Sequence, residues 1–219
     1  DISCMTNLIV AYIDNGDFHK SESIFKQYVA SMIGTTINSW ATFTNPEIEN
    51  WWDQSAQEFY MSSNCFADKI NSERSLNYGY DATIFCKTFP LLYKSVLKKC
   101  IEKGDNMVTS NLKESIKQSK DELIKTKEND FDTPYLLHIK IHQLEDSLKS
   151  NIPDLSHRIM DQGVTFNDVA KALDDNEAAI EFFEYVDLLS DSISIQYSAY
   201  VVLPNSCLLY TSDAADDLI

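Results

Sequence analysis

From Ile193 to Leu203 the chain alternates, with Ile193, Ile195, Tyr197, Ala199, Val201 and Leu203 separated by Ser194, Gln196, Ser198 and Tyr200. A period of two sustained this long marks a half-buried β-strand with unlike faces. Just upstream, "EAAIEFFEYV" is apolar at both parities and reads as a strand covered on both faces. Everything before it repeats at helical spacing. An isolated two-stranded hairpin is marginal in water, so these strands need helices or further strands to cover them. The expectation is a mainly α chain that ends in a β-hairpin.

The helical part starts with "NLIVAYIDNGDFHKSESIFKQYVASM", two amphipathic segments joined at "DNGD". Leu8 and Tyr12 share one face of the first, Gly16 permits the turn, and Phe18, Ser21, Phe25 and Tyr28 share one face of the second. The offsets of Leu8, Tyr12, Gly16, Phe18, Ser21 and Phe25 resemble a tetratricopeptide repeat, with Ile9 and Ser21 where that family prefers Gly and Ala. One repeat cannot bury its apolar face alone, so further repeats are expected before Asp1, which is not an initiator residue.

In "TNPEIENWWDQSAQEFY" Asn45 can cap, Pro46 suits the first helical position and Glu47 favours the positive helix end. Ile48, Trp52, Ala56 and Phe59 then fall on one face, a core stripe rather than a ligand cage. A third helical stretch is predicted from about Asn77 to Lys103, kinked or interrupted at Pro90. Two more follow. One carries Val108, Leu112, Ile116 and Leu123, the other Leu137, Ile141, Leu144 and Leu148, a pattern that predicts an antiparallel pair. Lys113, Glu114, Lys117 and Lys120 opposite read as a solvated face. Thr165 starts a short helix over Phe166–Leu173.

A net charge of -16 argues against nucleic acid or an anionic membrane as partner, since a phosphate surface would be repelled. No apolar run approaches the roughly 18–20 residues that cross a bilayer, and no basic start with an apolar run suggests a signal peptide, so a cytoplasmic protein is expected. The five cysteines are widely and irregularly spaced without a CxxC pair, which suits reduced thiols. Cys86 and Cys100 on one helix would stand about 21 Å apart, beyond disulfide reach.

Chemistry is sparse. His19, His138, His142 and His157 fall in predicted helices or their ends, none beside a cysteine on a strand end, so no catalytic dyad is assigned. His138, His142 and Glu145 could share a helix face, but the acidic neighbour that would supply a general base is missing, and they read as polar flanks of an apolar stripe. Asp174 and Asp175 sit in a predicted turn. No glycine-rich phosphate loop is present. Catalytic, cofactor and metal residues are all read as none.

The order of motifs nevertheless carries a likeness. Asp168, Val169 and Leu173, then Glu177, Ile180, Glu181 and Phe182, then Tyr197, Ala199 and Val201 resemble the opening helix and strands of CHAT domains, the caspase-like domains that accompany tetratricopeptide repeats in bacteria. "TNPEIENWW" and "YGYDATIFCKTFPLL" resemble helices found upstream in that family, with Glu47, Ile48 and Glu49, and Thr88, departing from its pattern. The resemblance implies that residues 1–34 are a tetratricopeptide-like repeat, 35–163 a helical linker region and 164–206 the start of an α/β caspase-like domain. It further implies that an intact protein would be a cysteine peptidase whose His and Cys lie beyond the hairpin, with protein partners bound by the helical surface. The alternative is a self-contained helical interaction or scaffold protein whose hairpin caps its core.

"CLLYTSDAADD" is also what the transposon end used in DNA library preparation encodes in one reading frame. Residues 207–219 are accordingly expected to be a non-native tail, which removes Cys207 from consideration as a nucleophile.

Overall fold

The computed structural model describes residues 1–42, 45–103, 107–126, 132–187, 189, 194–204 and 206–211. Helix makes up 74% of the structure, and a three-stranded antiparallel sheet closes the chain, so the mainly α expectation with terminal strands is met. Two compact units emerge, one from residues 1–35, 53–89 and 163–219, the other from 36–52 and 90–162. The region expected to be one linker thus gives its 53–89 segment to the first unit.

In the first unit α1 (Ile2–Asp14) is capped by the Asp1 carboxylate, which accepts from the Ser3 N–H at 3.1 Å. Gly16 takes φ +71°, a left-handed conformation that a side chain would resist, and turns the chain into α2 (Phe18–Thr42). The helix hairpin read from the sequence is therefore present. Ile9 and Phe25 are both fully buried in one hydrophobic cluster, and the Ser21 hydroxyl of α2 donates to the Ile9 carbonyl of α1 at 3.3 Å. Leu8 and Phe18 stay exposed. Phe25 and Tyr28 extend the core edge-on to Phe66 and Phe59 of α4 (Gln57–Ile70), which follows α3 (Asn45–Trp51) through a π-helical turn at Trp52–Ala56.

Helix α5 (Glu73–Lys103) departs from expectation at its start and middle. It begins near Glu73 rather than Asn77, because Ser72 and Ser75 bond reciprocally, each backbone N–H to the other's hydroxyl oxygen, at 2.9 and 3.1 Å. That is a capping box with serine in place of the usual glutamate. Pro90 neither ends nor interrupts the helix. The cost of one missing backbone bond, about 3 kcal/mol, is outweighed where neighbours such as Phe89 and Tyr93 are buried. Cys86 and Cys100 lie on this one helix as free thiols.

The sheet has the order β1 (Ala179–Asp187), β2 (Ser194–Leu203), β3 (Ser206–Thr211). β1 pairs antiparallel with β2 from Ala179 opposite Val202 to Asp187 opposite Ser194. The short α9 (Phe166–Ala172) precedes it with the capping box of Thr165 and Asp168. Strand β3 begins at Ser206 and takes in residues 207–211, which were expected to belong to a non-native tail; it pairs with β2, and Cys207 is buried.

Two expectations about the strands are corrected. β1 is covered on one face only, with Phe183, Tyr185 and Asp187 buried while Ile180 and Phe182 are exposed. In β2 Ile195 and Tyr197 are exposed while Ser198, Ala199, Tyr200 and Val202 are buried, so the face of Tyr200 packs inward and the alternation lapses at Ala199. Ile193 lies outside the described residues. The reason is the size and reach of Tyr200. Its ring stacks on Phe183 at 4.5 Å and meets Tyr80 edge-on at 5.9 Å, which outweighs the apolar character of the opposite face.

In the second unit Trp40 packs edge-on against Trp52 at 5.2 Å and Tyr93 at 5.1 Å. Here α6 (Met107–Ile124) packs on α7 (Asp132–Ser150), the expected pair, with Ile116, Leu137, Ile141 and Leu148 buried and Val108 exposed. Lys120 on α6 pairs with Glu145 on α7 at 2.8 Å. A short α8 (Leu155–Met160), not foreseen, buries Leu155 and Ile159.

Gly79 of α5 fixes how closely helix and sheet approach in the first unit. A Cβ there would stand 2.2 Å from the Tyr200 hydroxyl and 2.6 Å from the Ala67 Cβ. Gly79→Ala is expected to lower stability by about 2–3 kcal/mol in urea unfolding, the usual cost of overpacking a dense core. Gly16→Ala, in open space, should cost less, about 1 kcal/mol, from the backbone alone.

Candidate functional site

Polar groups of the first unit concentrate where α4 and α5 meet the sheet. Asn64 of α4 is completely buried. Its Oδ1 accepts from the Thr83 hydroxyl and from the Tyr200 hydroxyl, each at 2.9 Å, while its Nδ2 donates to the Tyr60 carbonyl at 2.8 Å. These bonds orient the amide and leave the two hydroxyls with one acceptor. Burial holds the Tyr200 phenol far above its ordinary range, so it stays neutral at any physiological pH. The cluster positions the strand rather than moving protons.

A second cluster joins α4 to the end of β1. Lys69 donates to Asp187 Oδ2 at 2.7 Å, and the Cys65 thiol approaches Asp187 Oδ1 at 3.9 Å. The hydrogen bond to Asp187 raises the Lys69 pKa despite partial burial. Asp187 also accepts the Leu189 N–H at 3.0 Å, which turns the chain out of β1. Cys65 stands beside the Asp187 carboxylate and within electrostatic reach of the Lys69 ammonium, but α4 carries no histidine to take its proton.

Asp81 of α5 is the third group. Its Oδ1 accepts the Phe166 N–H at 2.5 Å, and so covers a free donor at the start of α9. Burial pushes Asp81 up to about 6, against the lowering effect of that bond and helped by the nearby Asp168 charge. Tyr80 and Phe166 pack edge-on beside it.

His19, His138 and His157 are exposed, each on a different helix. Glu145 pairs with Lys120 at 2.8 Å. Among the described residues no group of three His, Cys, Asp or Glu forms a metal site. Cys86 bonds the Ala56 carbonyl, and its thiol is pushed up to about 12 by burial; Cys207 is pushed up to about 12 by the same cause. Cys100 accepts from Arg158 at 3.7 Å, and Cys4 is exposed on α1.

What sequence reasoning missed is the outward sheet face. Ile180 and Phe182 of β1, Ile195 and Tyr197 of β2, and Leu208 and Tyr210 of β3 are all exposed, Phe182 by 73%. The signal was present in the apolar residues at both parities of β1, which favour a cover on both faces despite Glu181 and Glu184. Among the described residues no helix is long and apolar enough to cross a membrane. Comparison with protein-family models, with curated proteins and with solved structures yields no match to this chain.

Two outcomes follow from these environments. Because the folded Asp81 holds its proton more tightly than an unfolded Asp, it favours folding at low pH, and that contribution is lost as pH rises from about 4 through 6. Asp81→Asn keeps an acceptor for Phe166 without the charge. Relative to wild type, the variant should gain about 1 kcal/mol between pH 5 and pH 7.5 in urea unfolding; parallel pH profiles would contradict the assignment. For the thiols, a disulfide reagent at pH 8 should modify Cys4 at once, and Cys86 and Cys207 only at the rate of unfolding.

Proposed function

We propose that this chain is a non-catalytic portion of a protein of the tetratricopeptide repeat and CHAT type, and that it acts by binding other proteins. The helix hairpin would present the repeat surface. The hairpin of strands would open the caspase-like domain of the intact protein, a cysteine peptidase. The observation that carries the non-catalytic part is the state of the thiols: Cys65 faces Asp187, and Cys86 and Cys207 are held protonated by burial. Peptide-bond attack needs a thiolate beside an imidazole. The order of helix α9, β1 and β2 supports the family reading, as does the turn at Gly16 with Leu8 and Phe18 left open beside it.

The test has two arms. Purified chain should release no product from a mixed set of fluorogenic peptides, and hydrolysis abolished by Cys65→Ala or Cys100→Ala would sink the non-catalytic reading. The surrounding gene should continue past Ser206 into strands that end in His and later Cys. A stop codon directly after genuinely encoded residues would leave a self-contained interaction protein instead.

A further inference from the structure

We infer that the outward face of the sheet is a self-association surface that pairs two copies of this chain face to face. Cross-strand register sets its relief. Ile180, Val201 and Leu208 form one row, Phe182, Ala199 and Tyr210 the next, and Glu184 with Tyr197 a third. In the middle row the small Ala199 is buried between its cross-strand neighbours Phe182 and Tyr210, whose rings stand exposed on either side of it. Two such faces related by a two-fold axis can lay these exposed rings against each other's apolar rows, as isologous contacts require.

Area decides in favour of this occupant. With fractional exposures from 41% to 73%, the six large apolar side chains leave on the order of 700 Å² open, taking the ~150–250 Å² that aromatic side chains present as the scale. The largest patch on an ordinary monomer is about 300–600 Å², and a stable complex covers about 800 Å² on each partner. Glu184 is the ionisable side chain in these rows, so no oppositely charged partner is needed to match them. Strand addition at β1 is disfavoured. Lys87 donates to the Phe182 carbonyl and the Tyr60 hydroxyl bonds the Glu184 backbone, two residues apart and hence on one edge of the strand. Stacking of faces is the mode that this leaves at β1.

Sedimentation velocity of the full chain under reducing conditions tests this. The expected result is a reversible species of twice the 25.0 kDa monomer mass, favoured by concentration. Since each copy carries a net charge of -16, raising salt from 50 to 500 mM should tighten the dimer by screening repulsion. Phe182→Asp, and separately Tyr197→Asp, should weaken it about thirtyfold or more, while Phe182→Leu retains it. Both substituted positions are exposed in β1 and β2, and circular dichroism checks that the variants fold. A wild-type monomer at several hundred micromolar would overturn the inference. So would a dimer indifferent to both Asp variants, or one that dissociates as salt rises.

Discussion

The architecture of the first unit depends on the seating of Tyr200. It is the largest side chain on the inward face of β2, fully buried, with one stacked ring, one edge-on ring and a hydroxyl bonded to Asn64. The hydroxyl reaches so deep that the facing helix must lack a side chain there, and Gly79 supplies the gap. Asn64 then ties α4, α5 and β2 together with one oxygen. Loss of any one partner would strand the others' polar atoms away from water, where an unmade bond costs about 1–3 kcal/mol. This is why the junction holds a unique register instead of sliding by two residues.

Much of the helical layout was legible from the sequence, and for a common reason. The hairpin at Gly16, the Ile116 and Leu137 stripes, and the start of α9 at Thr165 each rest on local chemistry: a turn residue, a period near 3.6, a cap. Where the local signal was unusual the reading slipped. The reciprocal serines at 72 and 75 lack the glutamate that marks a capping box. Pro90 reads as a kink or an interruption, and the helix runs through it beside buried neighbours such as Phe89 and Tyr93. The joining of residues 53–89 to the first unit has no local signature at all, since it depends on which distant aromatic rings meet.

The strand faces were misjudged for a more instructive reason. Alternation shows that two faces differ, but not which one a protein covers first. Counting apolar residues favoured the face of Ile195 and Tyr197. The fold instead buried the face with Ser198, Tyr200 and Val202, where one large ring with a polar tip contributes both area and a specific bond. Absent chemistry was also only partly readable. The sequence could place His138, His142 and Glu145 on one helix, but only the fold shows the Glu145 carboxylate held by Lys120.

The two sides of the sheet therefore divide the work of specifying a structure. The inner side fixes register through a few satisfied polar atoms and tight contacts, and it tolerates little. The outer side has the composition of a core but no such locks, so its affinity for a cover is broad and additive in area. In a chain with a net charge of -16, such a face also departs sharply from its surroundings. Long-range repulsion slows encounters with like-charged partners, whereas the apolar rows reward contact once made. Whatever covers the face must bring apolar area rather than charge, and a second copy of the same rows meets that demand without any change in the fold beneath it.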